Sequence, residues 1–247
     1  MALQLAGTVG GQAWEGLRAL VDADGGGTHP YFRRLCAADR RGRRVAVFAV
    51  AVERRADAED IAPVGRIDLA DAVHALCAVH GAHRGLAEEA RDHPATGPAA
   101  AIAGDWLADV AHGFAAERGE LARILSAAGP LPSTPGQAAT DAALVAQRHA
   151  FRMLGWSDRT GCATGAVAAL VLDWTAVRRV LARAAEAYGT ALAPCALPDP
   201  AETATVLGLV ADTNPVERAM LFGARALLAQ HRALWDLLAA RASARLG

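Results

Sequence analysis

Two proline-glycine interruptions, DHPATGP at 92–98 and GPLPSTPG at 129–136, frame a proline-free stretch over 99–127. Within it Trp106, Val110, Phe114, Leu121 and Ile124 return at the spacing of a helix that turns about 100° per residue. Comparable stretches occupy 68–91, 137–156, 163–188 and 214–245. Long amphipathic segments joined by short breakers predict an all-α fold: an up-and-down helical bundle of four to five long helices with short N-terminal helices. The composition suits this. The chain is 53% apolar but only 5% aromatic, so alanine, the best helix former, fills much of the interior.

The N-terminal part is less regular. Residues 11–22 predict a short helix stopped by DGGG at 24–27, and Thr28 with Pro30 predicts a capped start for a second one. Over 40–55, valines favour a strand and alanines a helix, and periodicity does not decide between them. DAEDIAPVG at 57–65 predicts a loop. The expected organisation is an N-terminal segment over 1–66, with an insertion at 43–66, and a helical bundle over 67–247, together forming one domain. Between 190 and 213 lies a connector with one short helix, and Asn214, Pro215 and Glu217 supply the opening of the last long helix.

Several function classes are disfavoured. The net charge of -1 gives no general attraction to nucleic acid or anionic membrane. All 25 basic residues are arginine, which removes lysine-based chemistry such as Schiff bases and P-loops. The arginine-rich stretch 33–55 lacks interleaved aromatics beyond Phe48, so no specific nucleic-acid binding is expected. Cys36, Cys77, Cys162 and Cys195 are too scattered for a zinc finger or disulfide scaffold. The first residues lack the basic and apolar regions of a signal peptide, and the longest apolar run, GAVAALVL at 165–172, is too short to span a bilayer. No membrane partner and a cytoplasmic location are the expectation; the oligomeric state is not readable.

The histidines carry the chemical interest. HALCAVHGAHRG, at 74–85, holds three of them. Helical phase places His80 and His83 on the stripe of Leu69, Val73, Leu76 and Ala87, and leaves Asp71 and His74 off it as a surface pair. Glu117 falls on the stripe of the 99–127 helix, with Asp109 and His112 pointing away. His149 sits mid-stripe among Ala142, Val145, Met153 and Trp156. Asp173 flanks the stripe of Leu170, Trp174, Val177 and Leu181, where it can hold a loop or Arg178. His231 is surrounded by Leu227, Leu228, Leu234, Trp235 and Leu238. Glu117 can also pair with Arg84 or Arg148. Burying this many polar groups costs several kcal/mol, roughly, unless they satisfy one another. His80, His83, Glu117, His149 and His231 are therefore the candidate ligands of Fe, Mn or Zn, or the members of a hydrogen-bonded network lining a small-molecule pocket. The chain has no Glu-x-x-His, only His80-x-x-His83 and Glu117-x-x-Glu120, which argues against a ferritin-type di-iron centre and for a mononuclear site or a bundle that has lost its metal. The alternative is a non-catalytic interaction or scaffold protein with a structural buried network.

Several stretches together, HPYFRRLCAAD, DLADAVHALCAVHGAH, GPLPSTPGQA, QRHAFRMLGWSDRTGCATGAVAALVLDW and LLAQHRALWDLLAARA, resemble an uncharacterised family of bacterial all-helical proteins of unknown function. The resemblance spans 29–40 and 68–245; segment 43–66 departs from it. It implies an all-helical fold and brings no reaction, substrate or site residues.

Overall fold

The computed structural model describes residues 9–37, 65–93 and 100–246. The undecided stretch 40–55 and most of the 43–66 insertion lie outside the described residues. Among the described residues there are nine α-helices and one short 3-10 turn, Gly26–Thr28, and no strand. The helices are α1 (Val9–Asp24), α2 (Pro30–Cys36), α3 (Arg66–His80), α4 (Leu86–Asp92), α5 (Ala100–Ala128), α6 (Gln137–Gly155), α7 (Cys162–Ala187), α8 (Pro200–Val210) and α9 (Asn214–Ala244). The all-α bundle expected from the periodicity is what the chain forms.

α7 organises the bundle. It packs against each of the other eight helices. Its residues 164–171 are buried without interruption, as required of a helix surrounded by others. GAVAALVL is thus the centre of the helical core, and no helix among the described residues is long and apolar enough to cross a membrane. The closest partner of α7 is α9. Gly165 and Gly223 permit the approach: a Cβ on Gly165 would stand 2.1 Å from Met220 O, and one on Gly223 would stand 2.0 Å from Cys162 O. Trp174 and Trp235 fill the space further along this pair.

Four expectations are corrected. The segment 68–91 is two helices, not one. Gly81 caps α3 by donating its N–H to Cys77 O, and Gly85 opens α4, with its own N–H held by Glu88 Oε2 at 2.9 Å. Between them Arg84 lies at φ +67°, the one non-glycine residue with positive φ among the described residues. The buried face of α6 is Thr140, Leu144, Gln147, Phe151 and Gly155, not the stripe through His149; Val145, Met153 and Trp156 are exposed. Asp71 is not a surface residue. It is buried against Arg241 and Arg245, while His74 bonds Gly129 O at 2.9 Å. At the N-terminus of α2 the cap is His29, one residue beyond Thr28, accepting from Tyr31 N–H.

Candidate functional site

α3, α5, α6, α7 and α9 converge on one polar cluster inside an aromatic cage. α9 brings His231, α7 brings Asp173 and Trp174, and α3 ends on His80. Asp173 and His231 are each 1% exposed, and His231 Nδ1 lies 2.6 Å from Asp173 Oδ2. The second carboxylate oxygen, Oδ1, accepts the Gly26 N–H at 2.8 Å, so Asp173 also anchors the 3-10 turn to the core. Against a carboxylate, Nδ1 is the nitrogen that carries the hydrogen, and a neutral ring then presents Nε2 as an acceptor. That Nε2 is buried with no hydrogen-bond partner.

His80 meets His231 edge to face, with ring centroids 5.1 Å apart. It also stacks on Phe151 at 5.1 Å and touches Trp174 at 5.2 Å. Its Nε2 is likewise buried without a partner. Burial, and after it the neighbouring His231, push the His80 imidazole well below its ordinary range. An unpaired buried polar atom costs roughly 1–3 kcal/mol. Here two rings that each carry one are in contact.

Glu117 lies on the far side of Trp174. Trp174 Nε1 donates to its Oε2 at 2.9 Å, Arg178 Nη1 reaches both oxygens at 2.5 and 2.6 Å, and Ala196 N–H donates at 3.2 Å. The last bond exists because the loop after α7 crosses α5 at Gly113, where a Cβ would stand 2.4 Å from Ala196 O. The expected buried polar network around Glu117 is therefore present, but its partners are Arg178, Trp174 and a backbone amide. None is a histidine, Arg84 or Arg148.

Of the five candidate metal ligands, the fold brings His80 and His231 into edge-to-face contact and sets Glu117 one tryptophan away. It separates the other two. His83 is exposed in the turn that breaks α3 from α4, and His149 is exposed on α6. Among the described residues no group of three or more His, Cys, Asp or Glu side chains is placed to hold a metal ion. Asp109 and His112 point to solvent, as their phase predicts.

His80 also walls a cavity of about 20 Å³ lying between α3, α4, α5 and α6. That is room for one water-sized group. Arg84, Arg118, Arg148 and Arg152 line its mouth together with Glu88. Glu88 is 5% exposed and ion-paired with Arg118, so the mouth is built partly from buried charge. The arginines were not legible as site residues, because in a chain whose bases are all arginine no single one stands out.

These features define a class: an all-helical bundle with a buried Asp–His pair, a second imidazole beside it, and an arginine-lined cavity. The chain belongs to a family of unknown function, DUF6975, whose family model matches residues 50–246. No curated protein and no solved structure gives a significant match.

Proposed function

We propose that the protein binds a small molecule at the mouth of the cavity between α3, α4, α5 and α6, with one water-sized group of it, or an ordered water, in the cavity beside His80. The observation that carries this reading is the His80 ring, 7% exposed, walling a cavity with a buried nitrogen that nothing in the fold satisfies. Buried polar atoms almost always find a partner, and one left unpartnered in a ring that walls a cavity marks a place for a ligand atom or an ordered water. The His231–Asp173 pair behind it orients the second ring. Iron, manganese or zinc at this point would have His80 and His231 as its protein donors among the five candidates, and would take its remaining donors from the ligand or water. A cytoplasmic location accords with four free cysteines, and the near-neutral charge accords with the absence of a specific nucleic-acid partner.

A second reading, a scaffold protein with a purely structural network, is favoured by Glu117, whose partners are all supplied by the fold. One experiment separates the two. Imidazole nitrogen spectra of the full chain, recorded against a panel of neutral and charged small molecules, are compared between wild type and His80→Phe. Binding to the cavity shifts the His80 and His231 signals in wild type, and the same compounds lose affinity for the variant. If no compound moves either signal, the scaffold reading takes its place.

A further inference from the structure

We infer that the ligand of the His80 cavity is a small oxyanion, a molecule presenting a carboxylate or phosphate group, and that Arg148 is the residue that receives its charge. This rests on the pocket reading above and narrows it to a ligand class.

Charge around the cavity is unevenly matched. Arg84 bonds Asp92 at 2.7 Å and stands 3.5 Å from Glu89. Arg118 pairs with Glu88, Arg152 lies 3.3 Å from Glu89, and Arg91 lies 2.9 Å from Asp92. Arg148 lines the mouth with no carboxylate partner among the described residues. Five arginines thus face three carboxylates, a local surplus of two positive charges on a chain whose net charge is -1. Glu89 and Glu88 are held by other bonds as well: Trp156 Nε1 donates to Glu89 at 2.6 Å, and Gly85 N–H to Glu88. The carboxylates are therefore tied into the framework, and the unmatched guanidinium is free to take an outside anion.

The shape agrees with this. The inner cavity takes one water-sized group beside His80, too little for a whole metabolite. Outside it a groove of about 370 Å³ runs between the α3–α4 turn and α5, sharing Arg84, Glu88 and Arg118 with the cavity mouth and adding His83, Arg91 and His112. A ligand whose body lies in this groove, with its oxyanion at the shared mouth, sets that oxyanion among planar guanidinium groups, Arg148 on the cavity side, which match carboxylate and phosphate oxygens in pairs. One oxygen or a bridging water then reaches the imidazole. Arg84 is presented to both spaces by its left-handed backbone, a conformation that costs an arginine free energy and is kept here at the rim of the pocket.

The test is a titration of the full chain with inorganic phosphate and, separately, acetate, against acetamide and glycerol as neutral counterparts, at fixed ionic strength. The readouts are the His80 imidazole signal and the melting temperature. We expect phosphate, acetate or both to shift the signal, with the stronger one naming the anion source. Arg148→Ala should weaken that binding about two- to fivefold, the scale of one partly exposed charge contact, while its melting temperature without ligand stays unchanged. Equal binding of the neutral counterparts, or an Arg148→Ala affinity equal to wild type, overturns the oxyanion inference and leaves the pocket reading standing. If neither the anions nor the neutral compounds move the His80 signal, both readings fail.

Discussion

Glu117 and His80 are both buried polar side chains touching Trp174, one from each side, and the fold treats them in opposite ways. The tryptophan gives Glu117 its indole N–H, and Arg178 and Ala196 supply the rest. It gives His80 only the edge of a ring. A buried carboxylate cannot be tolerated unpaired, so the fold surrounds it. An imidazole can be tolerated neutral, so it can be left open for something that comes and goes. The first arrangement is what a structural residue looks like. The second is what a pocket wall looks like.

The largest expected effect is on the Glu117 side. Glu117→Ala strands the Arg178 guanidinium and the Trp174 indole together. It should lower stability by about 3–5 kcal/mol, as removing one member of a buried ion pair does. Glu117→Gln keeps the shape and part of the bonding and should cost about 1.5–3 kcal/mol, the worth of a hydrogen bond to a charged group. Denaturant unfolding measures both. Two variants as stable as wild type would show that Glu117 is solvated and erase the contrast.

Next comes Asp173→Asn. It keeps an acceptor for Gly26 N–H but loses the charge facing His231 Nδ1, at 2.6 Å the shorter of the two bonds. A loss of about 1.5–3 kcal/mol is expected in the same experiment. The His231 imidazole signal should move with it. An unmoved His231 signal would mean that Asp173 serves the 3-10 turn alone.

Helical phase made much of this fold legible, and its failures have identifiable causes. It held where the buried face is mainly apolar: Trp106, Val110, Phe114, Leu121 and Ile124 on α5, Leu170, Trp174, Val177 and Leu181 on α7, and the leucines around His231 on α9 are all buried. It failed on α6, where the inward face carries Thr140 and Gln147. Gln147 Nε2 donates to Gln230 O across the α6–α9 contact, and Thr140 Oγ1 accepts from Arg241. A face that packs through hydrogen bonds carries no hydrophobic stripe. The more apolar stripe of α6, through Val145, Met153 and Trp156, is the one exposed. His83 leaves the expected stripe for a simpler reason: the glycines at 81 and 85 break the helix around it. The pairing of Asp71 with Arg241, 170 residues apart, has no local signal at all.

The α6 correction has its own test. Phase alone expects His149→Ala to disturb the interior more than His74→Ala; the structure reverses the order. His74 Nε2 holds Gly129 O at 2.9 Å where α5 ends, so its loss should cost about 0.5–1.5 kcal/mol. His149 is exposed and should change stability by less than about 0.5 kcal/mol. Thermal unfolding of the two variants decides the rotation of α6, and equal shifts would contradict it.

Small at neutral pH, and sharpest on the comparison, is the effect of His80→Phe. The ring already sits among Phe114, Phe151 and Trp174, and its Nε2 satisfies nothing. Replacing an unpartnered polar group by an apolar ring of similar shape should change stability by no more than about 1 kcal/mol at pH 7, in either direction. The difference should grow on acidification. In the unfolded chain this imidazole takes up a proton as pH falls through its ordinary value near 6.5, while in the folded chain burial holds it neutral to a lower pH. The unfolded state then binds more protons than the folded one, so stability falls with pH from about 6.5 downward, by at most about 1.4 kcal/mol per pH unit for one group. Glu89, Glu120 and Asp92 do not confuse the window between pH 7 and 5, because their arginine and hydrogen-bond partners hold them below the ordinary carboxylate range and they stay ionised there. His80→Phe should therefore be relatively more stable than wild type at pH 5 than at pH 7, with a flatter stability profile between them. A variant that loses several kcal/mol at pH 7, or that keeps the wild-type slope, would show that His80 is bonded into the fold as firmly as Glu117, and the two sides of Trp174 would no longer differ.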